Sequence, residues 1–169
     1  VTINRGTTDK MKTAIGNNCL IMAYAHVAHD CILGNNIILA NSVTLAGHVQ
    51  IDDWAILEGL VAVQQFIRIG AHSFLAGGSL VRKNVPPFTK AAREPLQYIG
   101  INSVGLRRRG YSNESVLEIE DIYRTLYVKG LNVVNALAVI EQEAPSSKEK
   151  EEILNFIRDS KDGIMRGIS

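Results

Sequence analysis

Twelve aliphatic residues stand six apart without a gap: Ile15, Ile21, Val27, Leu33, Leu39, Leu45, Ile51, Leu57, Val63, Ile69, Leu75 and Val81. An amphipathic helix repeats near 3.6 residues and a half-buried strand near 2, so neither element alone makes this ladder. A strict period held over a long segment marks a repeat architecture, and six is the period of hexapeptide coils wound into a parallel β-helix. The residue two before each rung is also small or apolar, as in Cys19, Ala25, Ile37, Val49 and Val61, and points inward with it. The residue after each rung is often Gly, Ala or acidic, as in Gly16, Gly34, Ala46 and Asp52, and small residues there suit a chain turning between flat faces. Three hexads make one triangular coil of about eighteen residues, so the ladder supplies about four coils. The expected fold is mainly β: a left-handed parallel β-helix, an exception to the right-handed crossover rule.

The ladder predicts a β-helical segment over 1–86 and a small α-helical one over 87–169. Thr7 to Lys12 breaks the register, since the rung expected at residue 9 is Asp9, and this is how a loop extruded from a coil corner reads. Pro86-Pro87, unable to donate ladder hydrogen bonds, is read as the stop. Beyond it the period turns helical. Ser112 precedes Val116, Ile119, Ile122, Tyr123 and Leu126, with Gly130 as the C′ residue. A second helix is expected over 135–143, stopped by Pro145. A third begins at Ser146-Ser147, with Glu149 as capping-box partner.

A formal charge of +1 calls for neither nucleic acid nor an acidic membrane surface. No stretch reaches the roughly 18 apolar residues of a membrane span, and no signal peptide opens the chain. Cys19 and Cys31, twelve residues apart on different faces, read as buried free thiols of a reducing compartment, hence a cytoplasmic protein. The chain starts on Val and enters mid-pattern, which reads as a fragment lacking earlier coils.

Residues eighteen apart stack on neighbouring coils, about 4.8 Å apart. His29 therefore stacks under Gly47 and then Gln65, Asp30 under His48 and then Phe66, His26 under Thr44, and Trp54 under His72. His29, two past its rung, lies near a corner and faces outward with a carboxylate beside it, as a general base does. The Gly47 N–H one coil away suits an oxyanion donor, because glycine lets a substrate approach the main chain. Blander readings stand beside these. His72 reads as a solvated surface histidine whose neighbour Trp54 suggests packing, His26 as readily structural as functional, and His48 as base partner or substrate ligand. Arg107-Arg108-Arg109 is a solvated face or a diphosphate clamp, and Gly77-Gly78 are corner glycines.

The runs AHVAHD at 25–30, LAGHV at 45–49, AVQQF at 62–66 and GINSVGLRRRG at 100–110, with the opening VTINRGT, resemble the UDP-N-acetylglucosamine O-acyltransferases of lipid A synthesis. The resemblance runs through nearly the whole chain. It implies transfer of an R-3-hydroxyacyl group from acyl carrier protein to the glucosamine 3-OH of UDP-N-acetylglucosamine, by a homotrimer, with no cofactor and no metal. It implies His29 as base, Asp30 as its orienter and the Gly47 amide as oxyanion donor. His26, His48 and Gln65 match substrate-binding positions, Asn102, Arg108 and Arg109 match groups near the nucleotide, and Gly77 matches an acyl-chain ruler. There are two departures: Gln64 stands where a further histidine is frequent, and Val104 where an acidic residue is common.

Two other readings share the prism. An N-acyltransferase acting on the next acylated sugar nucleotide normally carries an N-terminal sugar-binding domain and lacks the helical tail. A zinc site of the prism carbonic anhydrase kind needs three converging imidazoles, whereas His26 and His29 straddle a corner with Asp30 beside them.

Overall fold

The computed structural model describes residues 1–168; Ser169, the end of the expected helical segment, lies outside the described residues. Strand β1 is Thr2–Ile3. Twelve more two-residue strands, β2 (Ala14–Ile15) through β13 (Leu80–Val81), follow at intervals of six, each ending on a rung. Strands β1-β4-β7-β10-β13 form one face of a parallel solenoid. A second face runs β2-β5-β8-β11, and a third β3-β6-β9-β12. From β2 to β13 the register on all three faces is eighteen residues, as in His26↔Thr44, Ile32↔Gln50 and Ile38↔Ile56. From Val27 onward every rung is buried, and with the minus-two residues the rungs fill the interior. Isolated two-residue strands have almost no stability of their own; the continuous inner column holds them.

The turns between faces are not made by the small residues after the rungs. The residue three past each rung from Ile15 to Leu75 carries the positive φ: Asn18, Tyr24, Asp30, Asn36, Ser42, His48, Trp54, Leu60, Phe66 and His72 lie between 56° and 65°, and Gly78 at 72°. Left-handed backbone is costly for such side chains. It is offset because most of these residues donate their N–H to a carbonyl of the neighbouring coil, as in His48 to His29 O (3.1 Å), Trp54 to Asn35 O (2.9 Å) and Phe66 to Gly47 O (3.2 Å). Glycine after the rung answers crowding instead: a Cβ on Gly34 would stand 2.2 Å from Asp53 Oδ1.

Pro86-Pro87 does not end the stack. Val85 bridges Ile69, and the coil closes two residues short, so that β14 (Thr89–Ala92) pairs parallel to β12 as Phe74↔Lys90. The prolines form the corner, where no ladder N–H is needed. Strand β14 then turns antiparallel into β15 (Gln97–Ile101), a hairpin the sixfold period does not announce. The first helix, α1, spans Ser103–Arg108, followed by α2 (Asn113–Tyr127), α3 (Val133–Glu143) and α4 (Lys148–Asp159).

Ser112 caps α2 as expected, while α3 starts two residues early because Asn132 accepts from Asn135 N–H. Gly130 adopts φ 72°, but the cap of α2 is Val128. The capping box at α4 does not form: Ser147 is the cap, so Lys150, not Glu149, occupies the third helical position. The buried Lys150 ammonium donates instead to Glu141 O (2.9 Å) and Ala144 O (2.7 Å), closing the C-terminal end of α3. Tyr98, Tyr123 and Tyr127 stack across β15 and α2, and Tyr123 Oη donates to Pro87 O. The helices are thereby docked on the end of the prism.

Candidate active site

Three corners run the length of the prism, and one concentrates the chemistry. At the corner between the first and second faces, His29 Nδ1 lies 2.9 Å from Asp30 Oδ2. Facing a carboxylate, Nδ1 is the donor of the pair, and Nε2 is the nitrogen turned away from Asp30. The His29 side chain is 43% exposed, and that of Asp30 is fully buried. Burial works against the Asp30 carboxylate, but hydrogen bonds from Thr7 and His29 outweigh it and hold the pKa down at about 2. Asp30 is therefore ionised at neutral pH.

The coil above completes the column. A Cβ on Gly47 would stand 2.6 Å from His29 Cε1 and 2.7 Å from Nε2, so the imidazole lies directly against this glycine. At three places an amide two past the rung is taken by a side chain: Asn17 N–H by Asn35 Oδ1, Asn35 N–H by Asp53 Oδ1 and Gly77 N–H by Glu58 Oε2. Among the described residues Gly47 N–H donates to no such partner. His48 Nε2 stands 3.8 Å from Asp30 Oδ2, and the ring packs edge-on to His29 and stacks on Phe66 at 4.7 Å. Its buried Nδ1 makes no hydrogen bond, the Asp9 carboxylate being 3.5 Å away. His48, Phe66, Asp9, Lys10 and the segment after α4 line a cavity of about 460 Å³.

The other candidates lie elsewhere. His26 is on the outer surface of the first face, its Nδ1 2.5 Å from Thr2 Oγ1. Gln65 is exposed on the coil above Gly47. Asn102 caps α1: Oδ1 accepts from Gly105 N–H and Nδ2 donates to His72 O (2.9 Å), leaving it 3% exposed. Arg109 sits at the second corner over Trp54, 3.3 Å from His72 Nδ1, with the exposed Arg108 beside it. Gly77 is exposed at the third corner. One chain thus unites His29, Asp30, Gly47 and His48, and holds the arginines and Gly77 apart from them. Sequence reasoning missed Thr7 and Thr13. Thr7 N–H and Oγ1 bind the two Asp30 oxygens at 2.9 and 2.6 Å, and Thr13 Oγ1 accepts from Asp30 N–H (2.9 Å).

His72 is no solvated histidine. It stacks between Trp54 and Phe88 and meets Tyr111 Oη at 3.3 Å. Burial, then the Arg109 guanidinium, push its pKa down to about 4, Asp53 opposing in part. A folded-state pKa below the ordinary 6.5 means that the unfolded chain takes up the proton first as pH falls. The contribution of neutral His72 to stability is present above pH about 6.5 and lost towards about 4. Thermal unfolding followed across that window should show the midpoint falling, and His72→Phe should flatten the slope.

His29, Asp30 and His48 each place one ligand atom within 4.8 Å of the others, a spacing a divalent ion can use. Both Asp30 oxygens already accept hydrogen bonds, and His29 Nδ1 is turned to one of them, so the arrangement favours a proton-handling dyad.

Residues 84–168, half of the chain, match the family model described as UDP N-acetylglucosamine O-acyltransferase, domain 2. The chain belongs to this family. Residues 12–47 match the bacterial transferase hexapeptide model of six repeats. The acyl-[acyl-carrier-protein]–UDP-N-acetylglucosamine O-acyltransferase of Pseudomonas syringae pv. syringae is 44% identical over 98% of this chain and 65% of its own length. The relative of the same name from Janthinobacterium sp. is 45% identical over 99% and 64%. The crystal structure of a UDP-N-acetylglucosamine acyltransferase from Bacteroides fragilis superposes with a TM-score of 0.94 at 47% identity, covering 95% of this chain and 63% of that one. That of the Arabidopsis UDP-N-acetylglucosamine acyltransferase gives 0.90 at 36% identity, over 98% and 60%. The chain therefore spans just under two thirds of the length of these O-acyltransferases. Among its described residues no helix is long and apolar enough to cross a membrane.

Proposed function

We propose that the full-length protein moves an R-3-hydroxyacyl group from acyl carrier protein to the 3-OH of UDP-N-acetylglucosamine, the first step of lipid A assembly, in the cytoplasm. The observation that carries this reading is the His29–Asp30 pair with Nε2 against the Gly47 main chain. His29 Nε2 takes the proton of the sugar hydroxyl as its oxygen attacks the thioester carbonyl carbon. The tetrahedral oxyanion accepts from Gly47 N–H. Collapse breaks the C–S bond, and the leaving sulfur takes the proton from the His29 imidazolium, giving the sugar O-ester and the free thiol of the carrier. Asp30 stays ionised and holds the ring.

The division of the candidate residues among three corners supports a homotrimer, in which the second or third corner of one prism meets the first corner of its neighbour. His26, His48 and Gln65 would then line the sugar side, with Asn102, Arg108 and Arg109 towards the nucleotide. Incubating the full-length protein with UDP-N-acetylglucosamine and a panel of 3-hydroxyacyl carrier proteins should yield a base-labile O-ester seen by mass spectrometry. Absence of the ester, or an amide formed only with an amino-sugar nucleotide, would overturn the reading.

Gly77 is the proposed end of the acyl groove. A Cβ there would meet Gly59 O at 3.2 Å and otherwise only the Glu58 side chain, so a long side chain can project outward from an intact corner. Gly77→Met should shift preference a few methylenes towards shorter donors. At about 0.8 kcal/mol per buried CH₂, relative kcat/KM should change by a factor of tens. Competition between two donors of different length reads it directly; an unchanged ranking would place the groove's end elsewhere.

A further inference from the structure

The loop at 7–12 emerges at the His29 corner. Strand β1 pairs β4 as Thr2↔His26, an offset of twenty-four residues, where the next pair on the same face keeps eighteen; the extra hexad is this loop. Its neck is tight, since a Cβ on Gly6 would stand 2.0 Å from Lys12 N. The insertion removes the regular coil from beneath Asp30, and Thr7 and Thr13 take over. Where His48 and Phe66 donate N–H to a carbonyl of the coil below, Asp30 donates to Thr13 Oγ1. Thr7 then supplies two donors to the carboxylate, N–H to Oδ1 and Oγ1–H to Oδ2. Oδ2 also faces His29 Nδ1, so Thr7 fixes the rotation of the carboxylate that sets the plane of the imidazole.

We propose that Thr7 is a positioning residue of the acyl transfer, acting through Asp30 on the aim of His29. This rests on the reading of His29 as the base. Its side chain is exposed and lines none of the prism interior, so replacing it leaves the core untouched. With Oγ1 gone the carboxylate keeps one anchor instead of two, and the ring is free to turn away from the sugar hydroxyl. Misplacement by about an ångström costs on the order of 10- to 100-fold in rate, with ground-state binding preserved.

The test uses the full-length protein with both substrates and four variants, their fold checked by circular dichroism. Thr7→Val should lower kcat about 10- to 100-fold with KM values within about twofold, and Thr7→Ser should restore kcat to within a few-fold. Added to His29→Ala, Thr7→Val should cause no further loss, because the two act as one unit. Wild-type kcat in Thr7→Val, a change confined to KM, or full additivity in the double variant would overturn the proposal. Should Thr7→Val not fold, Thr7→Ala against Thr7→Ser carries the same comparison. An active His29→Ala would sink the base assignment itself, and Thr7's role with it; an inactive His29→Ala beside a fully active Thr7→Val removes only the latter.

Discussion

Replacement of His29 by Ala is expected to lower kcat by about 10²- to 10⁴-fold while leaving the protein folded. The ring contributes one function that no neighbour can supply, an Nε2 held in one orientation against the Gly47 main chain. His48 is the only other imidazole at this corner, and its Nε2 is turned towards Asp30 while its Nδ1 is buried. Losing the ring opens no cavity in the prism, because His29 projects outward and the interior beneath it is filled by Val27 and Cys31. His29→Gln should be nearly as inactive, since it keeps bulk and hydrogen bonding but not basicity. Added imidazole should restore part of the turnover to the Ala variant. Single-turnover ester formation gives the rate, and thermal melting the fold. A variant that kept more than about a tenth of the wild-type kcat would remove His29 from the role.

The column of His29, Gly47, Asp30 and His48 was legible in the sequence because a coil has a fixed length: eighteen residues up means one strand spacing away, whatever the residue types. The same arithmetic hid Thr7. An insertion of one hexad breaks the count at the corner where it matters, and a hydrogen-bonding partner twenty-three residues away follows no period. The positive-φ corners were invisible for another reason. Their side chains are Asn, Tyr, Asp, Ser, His, Trp, Leu and Phe, with no shared chemistry, because the hydrogen bond from the neighbouring coil, not local propensity, holds the backbone. Pro86-Pro87 misled by a rule that holds inside strands and not at corners. The Arg109–His72–Trp54 stack joins a helix to the prism across 37 and 55 positions, so only the tertiary fold brings it together.

Gly47→Ala should be as damaging to turnover as any single methyl in this chain. The φ of Gly47 is not in the left-handed region, so alanine is compatible with its backbone and the coil should remain wound. The added Cβ falls 2.6 Å from Cε1 and 2.7 Å from Nε2 of His29, closer than non-bonded atoms stand. The backbone cannot yield, being pinned by Phe66 N–H on Gly47 O, so the half-exposed imidazole must swing outward. That swing breaks the contact with Asp30 and separates the base from the Gly47 amide, two groups that must reach the same thioester together. The methyl also crowds the approach to that amide. Loss of one oxyanion donor alone costs about 10²–10³ in kcat, and loss of the base at least as much, so a fall of 10² or more is expected. Gly59→Ala is the control. It occupies the same place in its hexad at the third corner, and its Cβ meets only Asn41 O at 3.4 Å, an ordinary contact. A folded Gly47→Ala with the activity of Gly59→Ala would mean that the ring does not need the place the structure gives it.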